Sequence, residues 1–129
     1  MMNDTPDKPS PTELEILRIL WDQGPSTVRQ VFETLSKTRP IGYTGALKML
    51  QIMAGKGSVR RDETERAHVY EAVQPAAKTK GQLVGDLLDR AFSGSASQLV
   101  MHALSGRKTS KEELDEIRKI LADHERTSE

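Results

Sequence analysis

Three helical periodicities, then two short extended runs, then a C-terminal stretch that is helical throughout predict the fold class. It is mainly α with a small β-hairpin: a winged helix-turn-helix followed by a helical dimerisation region. The 129 residues agree with one domain, at most one with an appendage.

Residues 1–11 hold three prolines beside Asn, Asp, Ser and Lys. Such a stretch cannot bury enough apolar surface to offset the entropy of ordering, so a disordered arm is expected. Thr12 and Glu15 have capping-box spacing, and a helix is expected to open there. Leu14, Leu17, Leu20 and Trp21 share its apolar stripe, with Ile16 beside them. Gly24-Pro25 ends it. Ser26 is expected to cap a second helix, where Val28, Val31, Phe32 and Leu35 recur at i, i+3, i+4 and i+7.

Pro40 and Gly42 close the following linker. A third helix is expected from Tyr43 or Thr44 to about Ala54. Leu47, Leu50, Met53 and Ala54 form its inner stripe, while Thr44, Lys48, Gln51 and Gly55 are polar or small. Gly45 and Gly55 mark either a close approach of another backbone or merely a weak helix start and end. Gly57 is a good terminator. Ser58–Arg61 and Ala67–Val73 then read as strands around a charged loop, with Val69 and Val73 on one side and His68 and Tyr70 on the other. Residues 12–75 thus form the expected winged helix.

Residues 76–124 are expected to be a helical dimerisation domain, with 125–129 a frayed tail. Leu83, Val84, Leu87, Leu88, Ala91 and Phe92 make one wide stripe. Ser93-Gly94-Ser95 breaks it. Leu99, Val100, Ala103 and Leu104 mark a short helix ending at Gly106. Ser110 and Glu113 open a last helix carrying Leu114, Ile117, Ile120 and Leu121. Three short helices of about 50 residues cannot enclose a core alone. Leu83, Leu87, Leu88, Phe92, Leu99, Leu104, Ile117 and Leu121 are therefore expected to bury against a second copy. Folding back on the winged helix is the alternative.

Composition excludes several classes of function. There are 19 basic and 19 acidic residues, so binding to nucleic acid or membrane needs a local patch. The absence of cysteine removes disulfides, thiolate zinc sites and cysteine nucleophiles. No apolar run reaches membrane-spanning length and no secretory segment opens the chain, so a cytoplasmic protein without membrane insertion is expected. His68, His102 and His124 fall in different elements, and no nucleophile elbow, P-loop or dinucleotide turn is present. Glu112, Glu113, Asp115 and Glu116 sit in the opening turns of a helix, where negative charge meets the helix dipole. No enzymatic activity, catalytic residue, cofactor or metal is expected.

One window departs from neutrality. From Thr34 to Arg61 there is no acidic residue, while Lys37, Arg39, Lys48, Lys56, Arg60 and Arg61 give a local charge of +6. A positive face on the second half of a helix-turn-helix would neutralise phosphates of double-stranded DNA. Thr44, Lys48 and Gln51 point away from the core stripe and can reach base edges in a major groove. Arg39, Lys56, Arg60 and Arg61 suit phosphates, which position rather than specify. The alternative is a winged-helix protein–protein interaction module using the same face for an acidic partner.

The chain resembles the penicillinase and methicillin-resistance repressors (BlaI/MecI type). The matching pieces run from Thr12-Glu13-Leu14-Glu15-Ile16-Leu17 to Leu20-Trp21, then Ser26-Thr27-Val28-Arg29-Gln30-Val31. Gly42-Tyr43-Thr44, Leu47, Leu50-Gln51, Lys56-Gly57, Arg61-Asp62 and His68-Val69-Tyr70 follow. The resemblance implies a homodimeric repressor on an inverted-repeat operator, with Tyr43 added to the DNA-contacting set. It further implies relief by a membrane sensor protease that cuts the dimerisation region. The chain departs from that pattern at Gly45-Ala46, where Thr and a β-branched residue are expected. It departs again at His102-Ala103, which stands where the cleaved Asn-Phe pair would be.

Overall fold

The computed structural model describes residues 8–128; most of the expected N-terminal arm lies outside the described residues, as does Glu129 of the tail. Helix α1 spans Pro11–Gln23. Its cap is Ser10, not Thr12. The Glu13 N–H donates to Ser10 Oγ at 3.2 Å, and the Ser10 N–H donates to Glu13 Oε1 at 2.9 Å. Pro11 favours this start because the first helical position needs no N–H donor. Thr12 and Glu15 are engaged elsewhere, both accepting from Arg39. Gly24 ends the helix with φ 80°, a conformation that favours glycine.

A strand that sequence patterning does not predict follows. β1 is only Ser26–Thr27. Ser26 is therefore a buried strand residue, its Oγ donating to Gly24 O at 2.8 Å. The cap of α2 (Val28–Leu35) passes to Thr27, which forms a capping box with Gln30. Helix α3 spans Tyr43–Lys56, two residues beyond the expected end. Gly57 closes it at φ 86°, and the Ser58 N–H reaches back to Met53 O at 3.0 Å. β2 (Val59–Asp62) and β3 (Val69–Ala72) form the expected hairpin. The sheet order is β1-β3-β2, antiparallel throughout, with Tyr70 opposite both Ser26 and Arg61.

The core of this part joins α1 (Ile16, Leu17, Ile19, Leu20), α2 (Val28, Val31, Leu35), α3 (Leu50, Met53) and the sheet (Val59, Tyr70). The strand alternation turns Tyr70 inward, while Val73 stays 41% exposed. Ala46 is fully buried, so it belongs to the inner stripe of α3, where Leu47 and Ala54 are only half-buried. Truncating Leu50 to Ala in such packing costs about 2–5 kcal/mol. Trp21 is half-buried and its Nε1–H donates to Gln74 O at 3.0 Å, fixing the chain as it leaves the sheet.

Helix α4 spans Ala76–Phe92, and the chain divides into two compact units between Leu83 and Val84, inside this helix. The start of α4 belongs to the first unit: Thr79 is buried and donates to Gln74 Oε1 at 3.1 Å. The second unit holds the rest of α4, α5 (Ala96–Ser105) and α6 (Lys111–Thr127). Ser110 caps α6 as expected, accepting from the Glu113 N–H at 3.0 Å. The helix runs on past His124, where the Thr127 and Ser128 hydroxyls close its last turn on His124 O. No residue of α5 or α6 is buried among the described residues.

Candidate nucleic-acid interface

The inner face of α3 is held by Ala46, Leu50 and Met53. That anchoring leaves Thr44, Lys48, Gln51 and Gly55 exposed along the opposite crest, where the sequence places them. Gly45 is not on this crest. It is half-buried, and a Cβ there would meet Ile41 Cγ1 at 3.0 Å. Its small size makes room for Ile41 of the linker.

A cleft of about 590 Å³ opens on one side of the crest, between the start of α2, α3 and the hairpin. Tyr43, Gln51 and Arg61 line it, as does the buried Tyr70. Arg29, Arg66 and His68 also line it, and none of the three belongs to the DNA-contacting set expected from sequence. Arg29 and Arg66 lie outside the acid-free window. Among its lining residues there is no carboxylate.

The Tyr43 ring is braced on two sides. Phe32 meets it edge-on, with centroids 6.0 Å apart and planes at 73°. The Arg29 guanidinium carbon lies 5.1 Å from its centroid. Phe32 and Arg29 are three residues apart on α2, so both reach the same neighbour. On the other side of the crest a cleft of about 530 Å³ is lined by Thr12, Arg39, Pro40, Ile41, Gly45, Lys48, Met49 and Ile52.

The four cations expected on phosphates all carry carboxylate partners. Arg39 Nε meets Glu15 Oε1 at 2.6 Å, Lys56 Nζ meets Glu13 Oε2 at 3.0 Å, and Arg60 Nε meets Glu71 Oε1 at 2.9 Å. Arg61 pairs with Glu63. The Tyr70 hydroxyl, and after it Glu63, raise the pKa of Arg61 further, so it is a permanent cation. Lys56 lies apart from the large clefts, beside a smaller cavity with Glu13, Ser58, Gln74 and Thr79. Asp62, Glu63 and Glu65 make the hairpin loop acidic. The Thr64 N–H donates to Asp62 Oδ1 at 3.0 Å and holds that carboxyl below its usual range. Arg29, Lys48 and Arg66 have no ion pair among the described residues; Arg29 and Arg66 line the first cleft and Lys48 the second.

Leu83 is the last residue of the first unit and is half-buried, as are Leu88, Phe92, Leu99, Leu104 and Ile117 in the second. Leu87 is 47% and Leu121 58% exposed. His102 and Ala103 are exposed on α5, with the His102 ring 5.6 Å from that of Phe92. No group of acidic or histidine side chains among the described residues is arranged to hold a metal.

A family model described as penicillinase repressor matches residues 9–123. A transcriptional regulator BlaI of Mycobacterium tuberculosis is 34% identical over 115 residues, covering 88% of this chain and 82% of its own. A penicillinase repressor of Bacillus licheniformis is 25% identical over 115 residues, covering 89% of this chain and 90% of its own. The solution structure of monomeric Bacillus licheniformis BlaI with the blaP half-operator superposes with a TM-score of 0.50 at 23% identity. It covers 57% of this chain and 89% of that one, and it shares the winged-helix fold.

Proposed function

The chain belongs to the penicillinase repressor family, DNA-binding transcriptional repressors rather than enzymes, and from that premise we propose that it acts as a homodimer on an inverted-repeat operator. The observation that carries this reading is the crest of α3. Its exposed side chains Thr44, Lys48 and Gln51 stand opposite a fully buried face, so the helix is rigidly presented and polar where a groove would receive it. Gln can pair bidentately with adenine and Lys can donate to guanine.

Arg39, Lys56, Arg60 and Arg61 contact phosphates in this reading. Each shares its charge with a carboxylate, which lowers the net gain from each contact. Guanidinium and ammonium groups keep spare donors while ion-paired, so the contacts are geometrically open. The stripe Leu83, Leu87, Leu88, Phe92, Leu99, Leu104, Ile117 and Leu121, half-buried or exposed in a single chain, supports assembly, since a second copy would complete a core that one chain lacks.

Release follows from loss of that assembly, through cleavage near His102-Ala103 by a membrane sensor protease. No helix among the described residues is long and apolar enough to cross a membrane. We place the repressor's action in the cytoplasm, with its DNA. Footprinting of the purified protein on the DNA upstream of its own gene tests the reading. Two protected half-sites about one helical turn apart, or a multiple of it, are expected. Uniform protection or none overturns it.

A further inference from the structure

We propose that Arg29 is a DNA-phosphate contact presented by α2, and that Tyr43 is its positioning residue. The inference rests on the DNA-binding reading and adds a residue outside the recognition helix. Three observations carry it. Arg29 has no ion pair among the described residues, unlike Arg39, Arg60 and Arg61. It lines a cleft shared with Gln51, Arg61 and Arg66 and free of lining carboxylates. Its guanidinium stands 5.1 Å from the centroid of the Tyr43 ring, itself met edge-on by Phe32.

A guanidinium over an aromatic ring is held by the ring's π face without spending its N–H donors on a carboxylate, so its fork stays free. That fork matches a phosphate bidentately. Phe32 and Tyr43 thus hold in place a side chain that would otherwise lose rotamer freedom on binding. A phosphate in the cleft beside Gln51 would supply the negative charge that Arg29 lacks. Tyr43 serves in this arrangement through its ring, not its hydroxyl.

The test measures affinity by fluorescence anisotropy across a salt series, with full-length protein. The probes are a duplex from the promoter region upstream of the chain's own gene and a mixed-sequence duplex. Arg29→Ala is expected to weaken both probes about tenfold and to lower the salt slope by about one unit. Tyr43→Leu is expected to lose a similar factor, and Tyr43→Phe to restore it. Combining Tyr43→Leu with Arg29→Ala should be no worse than Arg29→Ala alone. Thermal melts of each variant separate these effects from misfolding, and Arg29→Lys, which keeps the charge but not the fork, should fall between wild type and Arg29→Ala. An unchanged affinity and salt slope for Arg29→Ala overturns the proposal while wild-type binding stands. A Tyr43→Phe loss equal to that of Tyr43→Leu overturns the role given to the ring. Absence of salt-dependent binding by the wild type overturns the DNA-binding reading as well.

Discussion

Lys56 Nζ donates to Glu13 Oε2 at 3.0 Å, tying the last residue of α3 to the first turn of α1. The Glu13 side chain is only 7% exposed, whereas Lys56 is 43% exposed. The pair fixes the end of the recognition helix on the helix behind it. It also makes Lys56 part of the scaffold in addition to the proposed contact with DNA.

The first prediction concerns acid. Burial pushes the Glu13 carboxyl up, but the Ser10 N–H, the Lys56 ammonium and the Ser10 hydroxyl together outweigh it and hold the pKa below the ordinary 4.5. A carboxyl with a lower pKa in the folded than in the unfolded chain adds stability above the unfolded value. That contribution is lost as pH falls through the folded value. Glu13→Gln should cost about 1–2 kcal/mol at neutral pH, and the deficit should shrink below about pH 4.5. Urea melts of both proteins at pH 7 and in acid give the comparison. A deficit equal at both pH values would count against this account.

The second prediction concerns sequence reading. Gln51 is exposed on α3, so Gln51→Ala should leave the melting temperature near that of wild type. On the operator it should cost about 1–3 kcal/mol and relax the preference at one base pair in each half-site. Competition with single-base operator variants measures this. An equal loss on every variant would make Gln51 a backbone contact.

The helices, their stripes and the hairpin were legible because each obeys a local rule of period or punctuation. What escaped was set by contacts between distant residues. The two-residue strand Ser26–Thr27 has no period of its own and exists because Tyr70 and Val69 pair with it. The cap moved to Ser10 because Thr12 and Glu15 serve Arg39, 24 to 27 positions along the chain. The crest Thr44, Lys48 and Gln51 was readable from helical spacing. Arg29 and Arg66 were not, since only the folded cleft brings them beside Gln51. Charge counting along the chain likewise could not show that Arg39, Lys56, Arg60 and Arg61 would each find a carboxylate.

The third prediction concerns assembly. Leu87 is nearly half exposed in a single chain, so Leu87→Asp removes little packing from the monomer. In a two-fold interface the change appears twice, and each copy would bury an unpaired carboxylate. The dimer should weaken by at least about 3 kcal/mol, while the melt of the winged helix moves little. Sedimentation equilibrium at micromolar concentration should show a dimer for wild type and a monomer for the variant. A monomeric wild type would sink the dimer reading.

The last prediction concerns release. Two DNA-binding units joined in one dimer gain affinity from effective concentration, about 10²–10⁴-fold over a single half-site. Cleavage near His102-Ala103 would remove Leu104 and all of α6 from the dimerising stripe, leaving every DNA contact in place. The bond lies within α5, whose last turn ends at Ser105 and whose residues are exposed or half-buried. Local opening there disturbs few apolar contacts, so a protease could gain an extended substrate at small cost. Ending the chain after His102 imitates the product. The truncated protein should sediment as a monomer and bind the full operator about 10²–10⁴-fold more weakly, while its affinity for an isolated half-site stays near that of the intact chain. If it remains dimeric and binds the full operator as tightly as the intact chain, cleavage at this place does not release the repressor. If half-site affinity falls as well, the C-terminal helices support the DNA-binding unit directly, and the loss is structural rather than one of avidity.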